Sequence, residues 1–281
     1  MFDALRARSN GRVRTEHHVC PGRTGRTDRD CEQHEPNQLP RSCRPRYESG
    51  AAKLCEFALS YQRQLPDFIA QQTTTFHGAK SKTILTAQVT YRKGQESYSL
   101  LTLDGEPITP NTSIPPDVRF TSAGEFGSLL VSLFKVHGAI EFKFREASTL
   151  RNVPAAVYTF HLDQPKNTFW TLRDAAGVDW KPEFRGELWL EKATGRPLRE
   201  VLEPVHLPSQ CLVKSAKTVT DYAMTPVAEI GTFLLPIKSE STVCGRGTWT
   251  NPSGCSTNIL VFHDYQKFGT TSRILPSDAQ P

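Results

Sequence analysis

The stretch Phe184-Arg185-Gly186-Glu187-Leu188-Trp189-Leu190-Glu191 decides the fold class. Phe184, Gly186, Leu188 and Leu190 fall on one side of an extended chain. Arg185, Glu187, Trp189 and Glu191 fall on the other. A period of two with one dry and one wet face is that of a half-buried strand. Ala193-Thr194-Gly195-Arg196 follows as a turn into a second strand, Leu198–Glu203, so the unit is a hairpin.

The same reading extends in both directions. Ile140, Phe142 and Phe144 alternate with Glu141, Lys143 and Arg145. Val157–Leu162 places Tyr158, Phe160 and Leu162 together, with His161 turned to solvent. Thr83–Arg92 places Leu85, Ala87, Val89 and Tyr91 on one face, and an Arg92-Lys93-Gly94 turn leads into Gln95–Asp104. Lys214–Tyr222, Gly231–Val243 and Asn258–Phe268 complete the series. About ten strands, mostly consecutive and hairpin-linked, imply a mainly β (α+β) fold built on one large antiparallel sheet.

Two segments have helical spacing instead. From Gly50 to Leu65, the residues Leu54, Phe57, Ala58, Tyr61 and Leu65 form an amphipathic stripe that Pro66 ends. Within Gly124–Phe134, Phe126, Leu129, Leu130, Leu133 and Phe134 do the same. One or two helices therefore cover one face of a sheet that curls around its apolar side. Periodicity does not separate a filled interior from a hollow groove.

Composition excludes several classes. With 37% hydrophobic and 22% charged residues, the 281-residue chain is neither fibrous nor wholly disordered. Its apolar runs, Leu129–Phe134 and Phe233–Ile237, are far short of the ~20 residues of a membrane helix. The net charge of +5 is too modest for the whole chain to read as a nucleic-acid binder.

Residues 1–48 form a separate Arg-rich segment, expected to be disordered; 49–270 form the sheet domain and 271–281 a flexible tail. The first fifty residues hold ten Arg, no Lys and seven acids, with six strong core formers, too few to offset the entropy of ordering. A basic nucleic-acid arm is disfavoured by the interspersed acids. A zinc site from Cys20, Cys31, Cys43 and the histidines His17, His18 and His34 lacks the close ligand pairs of structural zinc. Arg without Lys among Gly, Pro, Cys and His is also what GC-rich DNA yields when read upstream of a true start. No apolar signal segment is visible there.

Nothing in the ordered part has a catalytic or metal-ligating signature. His77, His137, His161, His206 and His263 lie in no H-E-x-x-H-type spacing, and no G-x-S-x-G elbow occurs. No cofactor is implied. Cys244 and Cys255 bracket a Gly-, Pro- and Asn-bearing loop between two strands, so they are placed to face one another at the hairpin mouth. A bridge there requires an oxidising compartment. Cys55 and Cys211 read as small buried hydrophobes or as unassigned thiols.

The run Gly186-Glu187-Leu188-Trp189-Leu190-Glu191-Lys192-Ala193-Thr194-Gly195-Arg196-Pro197-Leu198-Arg199 resembles the G-x-hydrophobic-W-hydrophobic-D-x-x-T-G-x-P-L-R hairpin of LolA/LolB/RseB-like envelope proteins, with Glu191 where that family carries Asp. Leu65–Phe68, Gln72–Thr75, Tyr91–Gly94 and Phe126–Leu130 are similar to secreted proteins common in acidobacterial genomes. The resemblance implies a periplasmic or secreted half-barrel, not an enzyme, whose concave face takes up a lipid or acyl chain. Members include carriers, lipid-binding lipoproteins and sensors, so the partner is a hydrophobic ligand or an envelope protein, without nucleic acid. The groove expected from the apolar faces comprises Leu85, Val89, Phe126, Leu130, Ile140, Phe142, Phe144, Tyr158, Phe160, Leu188 and Leu190. The alternative is a sensor or interaction module with a filled interior and solvent-facing Trp189 at its partner surface.

Overall fold

The computed structural model describes residues 57, 60, 61, 64–77, 82–109, 112, 126, 140–163, 172, 173, 179–209, 211, 213–245 and 254–269. Its strands are β1 (Phe68–His77), β2 (Lys82–Arg92), β3 (Gln95–Leu103), β4 (Glu106–Pro107), β5 (Glu141–Leu150), β6 (Val153–Leu162), β7 (Leu172–Arg173), β8 (Asp179–Trp180), β9 (Glu183–Glu191), β10 (Pro197–Val205), β11 (Val213–Val227), β12 (Gly231–Gly245) and β13 (Cys255–Lys267). Eleven of them form one open antiparallel sheet in the order β4-β3-β2-β1-β13-β12-β11-β10-β9-β6-β5, and β7 pairs with β8 alone. The order is a meander from β5 to β13 that continues through β1 to β4. The first and last long strands thus pair at its centre, Thr74 against Leu260.

Tight turns set the register. Lys93 and Gly94 (φ 51° and 78°) join β2 to β3, and Arg151 and Asn152 (φ 50° and 64°) join β5 to β6. Positive φ at both central residues is the two-residue hairpin geometry that matches strand twist. The β9–β10 turn closes with Gly195 N–H on Glu191 O at 2.8 Å, and the Thr194 hydroxyl donates to the Glu191 carboxylate. Register shifts at Ile69/Gln71, Thr86/Gln88, Phe144/Glu146, Pro197/Arg199 and Asp221/Tyr222 bend the strands. A sheet of this width, bulged in this way, curls into a half-barrel with a buried inner face and a wet outer one.

The outer face carries the cross-strand ion pairs Arg199–Asp221 at 2.7 Å and Arg185–Glu203 at 2.7 Å, and a His161 Nε2–Glu183 Oε1 contact at 2.7 Å. Each contributes at most about 1 kcal/mol at such exposure. Trp189 lies on this face, half-buried, in register with the fully buried Val157. It therefore covers an outer apolar spot rather than standing free in solvent.

Phe57, Ser60, Tyr61 and Gln64 are helical, as the N-terminal periodicity requires, and Leu65 N–H closes the last turn on Tyr61 O at 3.1 Å. The expected helix at Gly124–Phe134 lies outside the described residues except for Phe126, which sits in a turn. Residues 1–48, 271–281 and Cys55 lie outside them too. No helix among the described residues is long and apolar enough to cross a membrane.

Cys244 and Cys255 are opposite one another in β12 and β13 and form a disulfide. Closing a loop of this size contributes about 3 kcal/mol in the chain-entropy account. Cys211 is a buried free thiol packed with Val213 and Ala216.

Candidate functional site

Residues opposite each other in antiparallel strands share a face, so the register can be followed across the inner side. One row runs Phe144, Tyr158, Leu188, Glu200, Thr220, Ser239, Leu260, Thr74, Leu85. The next runs Phe142, Phe160, Gly186, Leu202, Thr218, Ser241, Asn258, Phe76, Thr83. Both rows are apolar at the β5 side, then polar through Glu200, Thr220 and Ser239 in the first and Thr218, Ser241 and Asn258 in the second; beyond that Leu260, Leu85 and Phe76 are interspersed with Thr74 and Thr83. The inner face is divided.

The β5 side gathers most of the residues expected in a groove. Ile140, Phe142, Tyr158, Phe160, Leu188 and Leu190 form one cluster with Leu162, Phe184 and Leu202. Gly186 is required within it: a Cβ there would lie 2.2 Å from Phe160 Cζ and 2.4 Å from Val201 O, so the Phe160 ring rests directly on the glycine backbone. Among the described residues Phe144 is the exposed member of the expected groove set. It faces inward, edge-on to Tyr158 with ring centroids 5.7 Å apart, yet 49% of it is exposed. It lies on β5, the edge strand, but the edge alone does not expose it, since Phe142 on the same strand is buried.

The opposite side has a different construction. Val89 and Phe126 belong to a second cluster with Tyr61, Phe68, Tyr91, Tyr222, Phe262 and Tyr265. Phe126 packs edge-on against Phe262 and Phe68 at 4.9 and 5.2 Å, and Phe68 stacks on Tyr91 at 5.1 Å. Tyr61 and Tyr265 donate their hydroxyls to Leu234 O at 2.6 Å and Pro236 O at 2.8 Å. Burial raises the Tyr61 and Tyr265 hydroxyls well above their usual range and pushes Tyr91 up to about 12. Leu85 sits apart from both, against Phe76. The expected groove set is thus split over three clusters, and Leu130 lies outside the described residues.

The polar band between them was missed by periodicity, because Thr and Ser on a buried face do not read as core. Thr218 pairs with Ser241 at 2.9 Å and Thr220 with Ser239 at 3.2 Å, hydroxyl to hydroxyl. Next to them lies Glu200, 1% exposed. The Tyr222 hydroxyl donates to Glu200 Oε2 at 3.3 Å, while Oε1 has no hydrogen-bond partner. Burial pushes this carboxyl up to about 8, and the Tyr222 hydrogen bond offsets only part of that shift. A signal was present in the sequence: Glu200 alternates in phase with Leu198 and Leu202, on the dry side of its strand. Among the described residues no group of three or more His, Cys, Asp or Glu could hold a metal ion.

No protein-family model matches the chain, and no curated protein sequence matches it. Solved structures do. A LolA superfamily protein of Nitrosomonas europaea is 12% identical with a TM-score of 0.37, over 80% of this chain and 96% of that one. A DUF1329 family protein of Desulfovibrio piger is 8% identical with a TM-score of 0.38, over 76% and 91%. The MucA/MucB complex of Pseudomonas aeruginosa is similar at 10% identity and a TM-score of 0.24, over 76% and 94%. The half-barrel architecture stands on the order and register of this sheet.

Proposed function

We propose that the protein is a non-enzymatic binding protein of the periplasm or the secreted space. Its ligand is an apolar chain, belonging to a lipid, an acyl group or a lipoprotein, held against the β5 side of the inner face. One observation carries this reading. The apolar surface of Leu188 and Tyr158 does not stop at the core but continues to Phe144, which is half open to water at the sheet edge. An exposed aromatic that extends a buried apolar patch is where an apolar ligand removes most surface from water. The Cys244–Cys255 disulfide supports an oxidising compartment.

The test is titration of the purified protein with a fluorescent fatty acid. Saturable binding is expected, and Phe144→Ala should weaken it several-fold while costing less than about 1 kcal/mol of stability, because the ring is already half exposed. Unchanged affinity in the variant would remove the edge from the site.

A second reading has its own support. Ile140, Phe142, Phe160 and Leu188 are at most 5% exposed, as in a filled interior. On that reading the protein is a sensor or interaction module whose outer face, with half-buried Trp189, contacts a protein partner. Native mass spectrometry separates the two: the first gives copurifying lipid masses, the second a bare chain.

A further inference from the structure

Among the described residues Glu200 is the one carboxyl group in the buried polar band, and its surroundings determine its state. Among the described residues it makes no ion pair, and its register neighbours are Leu188 on one side and Thr220 on the other. A carboxyl withdrawn from water without a cation stays neutral, because desolvation penalises the charged form. Oε2 accepts the Tyr222 hydroxyl, so Oε2 acts as the carbonyl oxygen and the proton belongs on Oε1. Oε1 is the atom left without a partner. A buried O–H donor is favourable only when it meets an acceptor, so Oε1 is a place suited to the acceptor atom of a ligand.

The position of that donor is specific. Glu200 lies three strands in from the edge strand along the row Phe144, Tyr158, Leu188, Glu200, roughly 14 Å at ordinary strand spacing. On one side of it is the apolar cluster; on the other are the paired hydroxyls of Thr220 and Ser239. It stands where an apolar lining gives way to a polar one.

We propose that the Glu200 carboxyl is the anchor for the carbonyl group of an acyl ligand, donating Oε1–H to the ester or amide oxygen at the junction of chain and head. The chain then lies over Leu188 and Tyr158 towards Phe144, and the head faces the Thr220 and Ser239 hydroxyls. The inference rests on the apolar-chain reading above and adds the chemistry of the junction.

The experiment uses two probes of equal chain length, methyl palmitate and hexadecyl methyl ether, which differ in the carbonyl. Each is titrated against a reporter dye, N-phenylnaphthylamine, bound to the full-length protein. The wild type should bind the ester about tenfold more tightly than the ether, the worth of one such hydrogen bond. Glu200→Leu should bind the two equally, and Glu200→Gln, which keeps an N–H donor, should retain the preference. Equal affinities in the wild type would overturn the inference without any variant, so it remains falsifiable if Glu200→Leu does not fold. A preference that persists in a folded Glu200→Leu would overturn it as well. If neither probe binds, the apolar-chain reading has failed, and the anchor fails with it.

Discussion

The two apolar ends of the inner face carry the same strand periodicity and are built differently. The β1–β2 end is locked: Phe126 and Tyr61 enter it from outside the sheet, five aromatic rings contact one another there, and two tyrosine hydroxyls are tied to carbonyls of β12. The β5 end is mostly contributed by the strands themselves, with only Phe57 reaching it from the helix among the described residues, and it runs out to a half-exposed ring at the sheet edge. Alternation specifies which face is dry. It does not specify which part of that face is sealed, because sealing depends on strand order and on what packs across the sheet. On the proposed function the locked end is the structural core and the edge end is the binding surface.

The largest effect should appear at the locked end. Phe68 is fully buried and touches Tyr91, Phe126 and Tyr265. Phe68→Ala should cost about 3–5 kcal/mol in urea denaturation and leave fatty-acid affinity in the folded protein unchanged. Phe144→Ala should show the converse, a small stability cost with weakened binding. If the two variants behave alike, the division of the inner face is broken.

A smaller effect, set by pH, reports on the boundary between the ends. Folding raises the Glu200 carboxyl from its ordinary 4.5 to about 8, so between these values the folded state keeps a proton that the unfolded state releases. Stability is therefore full below about pH 4.5, falls as pH rises, and reaches its lowest contribution above pH 8, a loss on the order of a few kcal/mol. Denaturation midpoints at pH 5 and pH 8.5 should differ in that direction, and Glu200→Gln should flatten the difference. A slope unchanged by Glu200→Gln would place the titrating group elsewhere.

Much of the fold was legible in local pattern. Leu85 to Tyr91, Ile140 to Phe144, and Phe184 to Leu190 alternate without interruption, and the strands expected there form. The Cys244–Cys255 bridge was legible for the same reason, since a hairpin places the flanks of its loop opposite each other. What was not legible depended on distant pairing. β1 reads Phe-Ile-Ala-Gln-Gln-Thr-Thr-Thr-Phe-His, with Gln72 and Thr74 buried because β13 and β2 flank it on both sides. Thr218, Thr220, Ser239 and Ser241 are buried by the same logic, each hydroxyl answered across the strand pair. Phe144 fits the periodicity of Phe142 on the same edge strand, yet it is exposed where Phe142 is buried, a difference that alternation does not carry. The division of the groove was hidden because hydroxyl pairs make polar residues compatible with an inner face.

The most direct test is photo-crosslinking with a diazirine-bearing fatty acid followed by peptide mapping. A chain held at the edge end should label peptides from β5, β6, β9 and β10, within 140–162 and 183–205, and leave those of β1 and β13 unlabelled. Labelling concentrated in 68–77 and 255–267, or none above the level of a carrier protein that binds no lipid, would contradict the account.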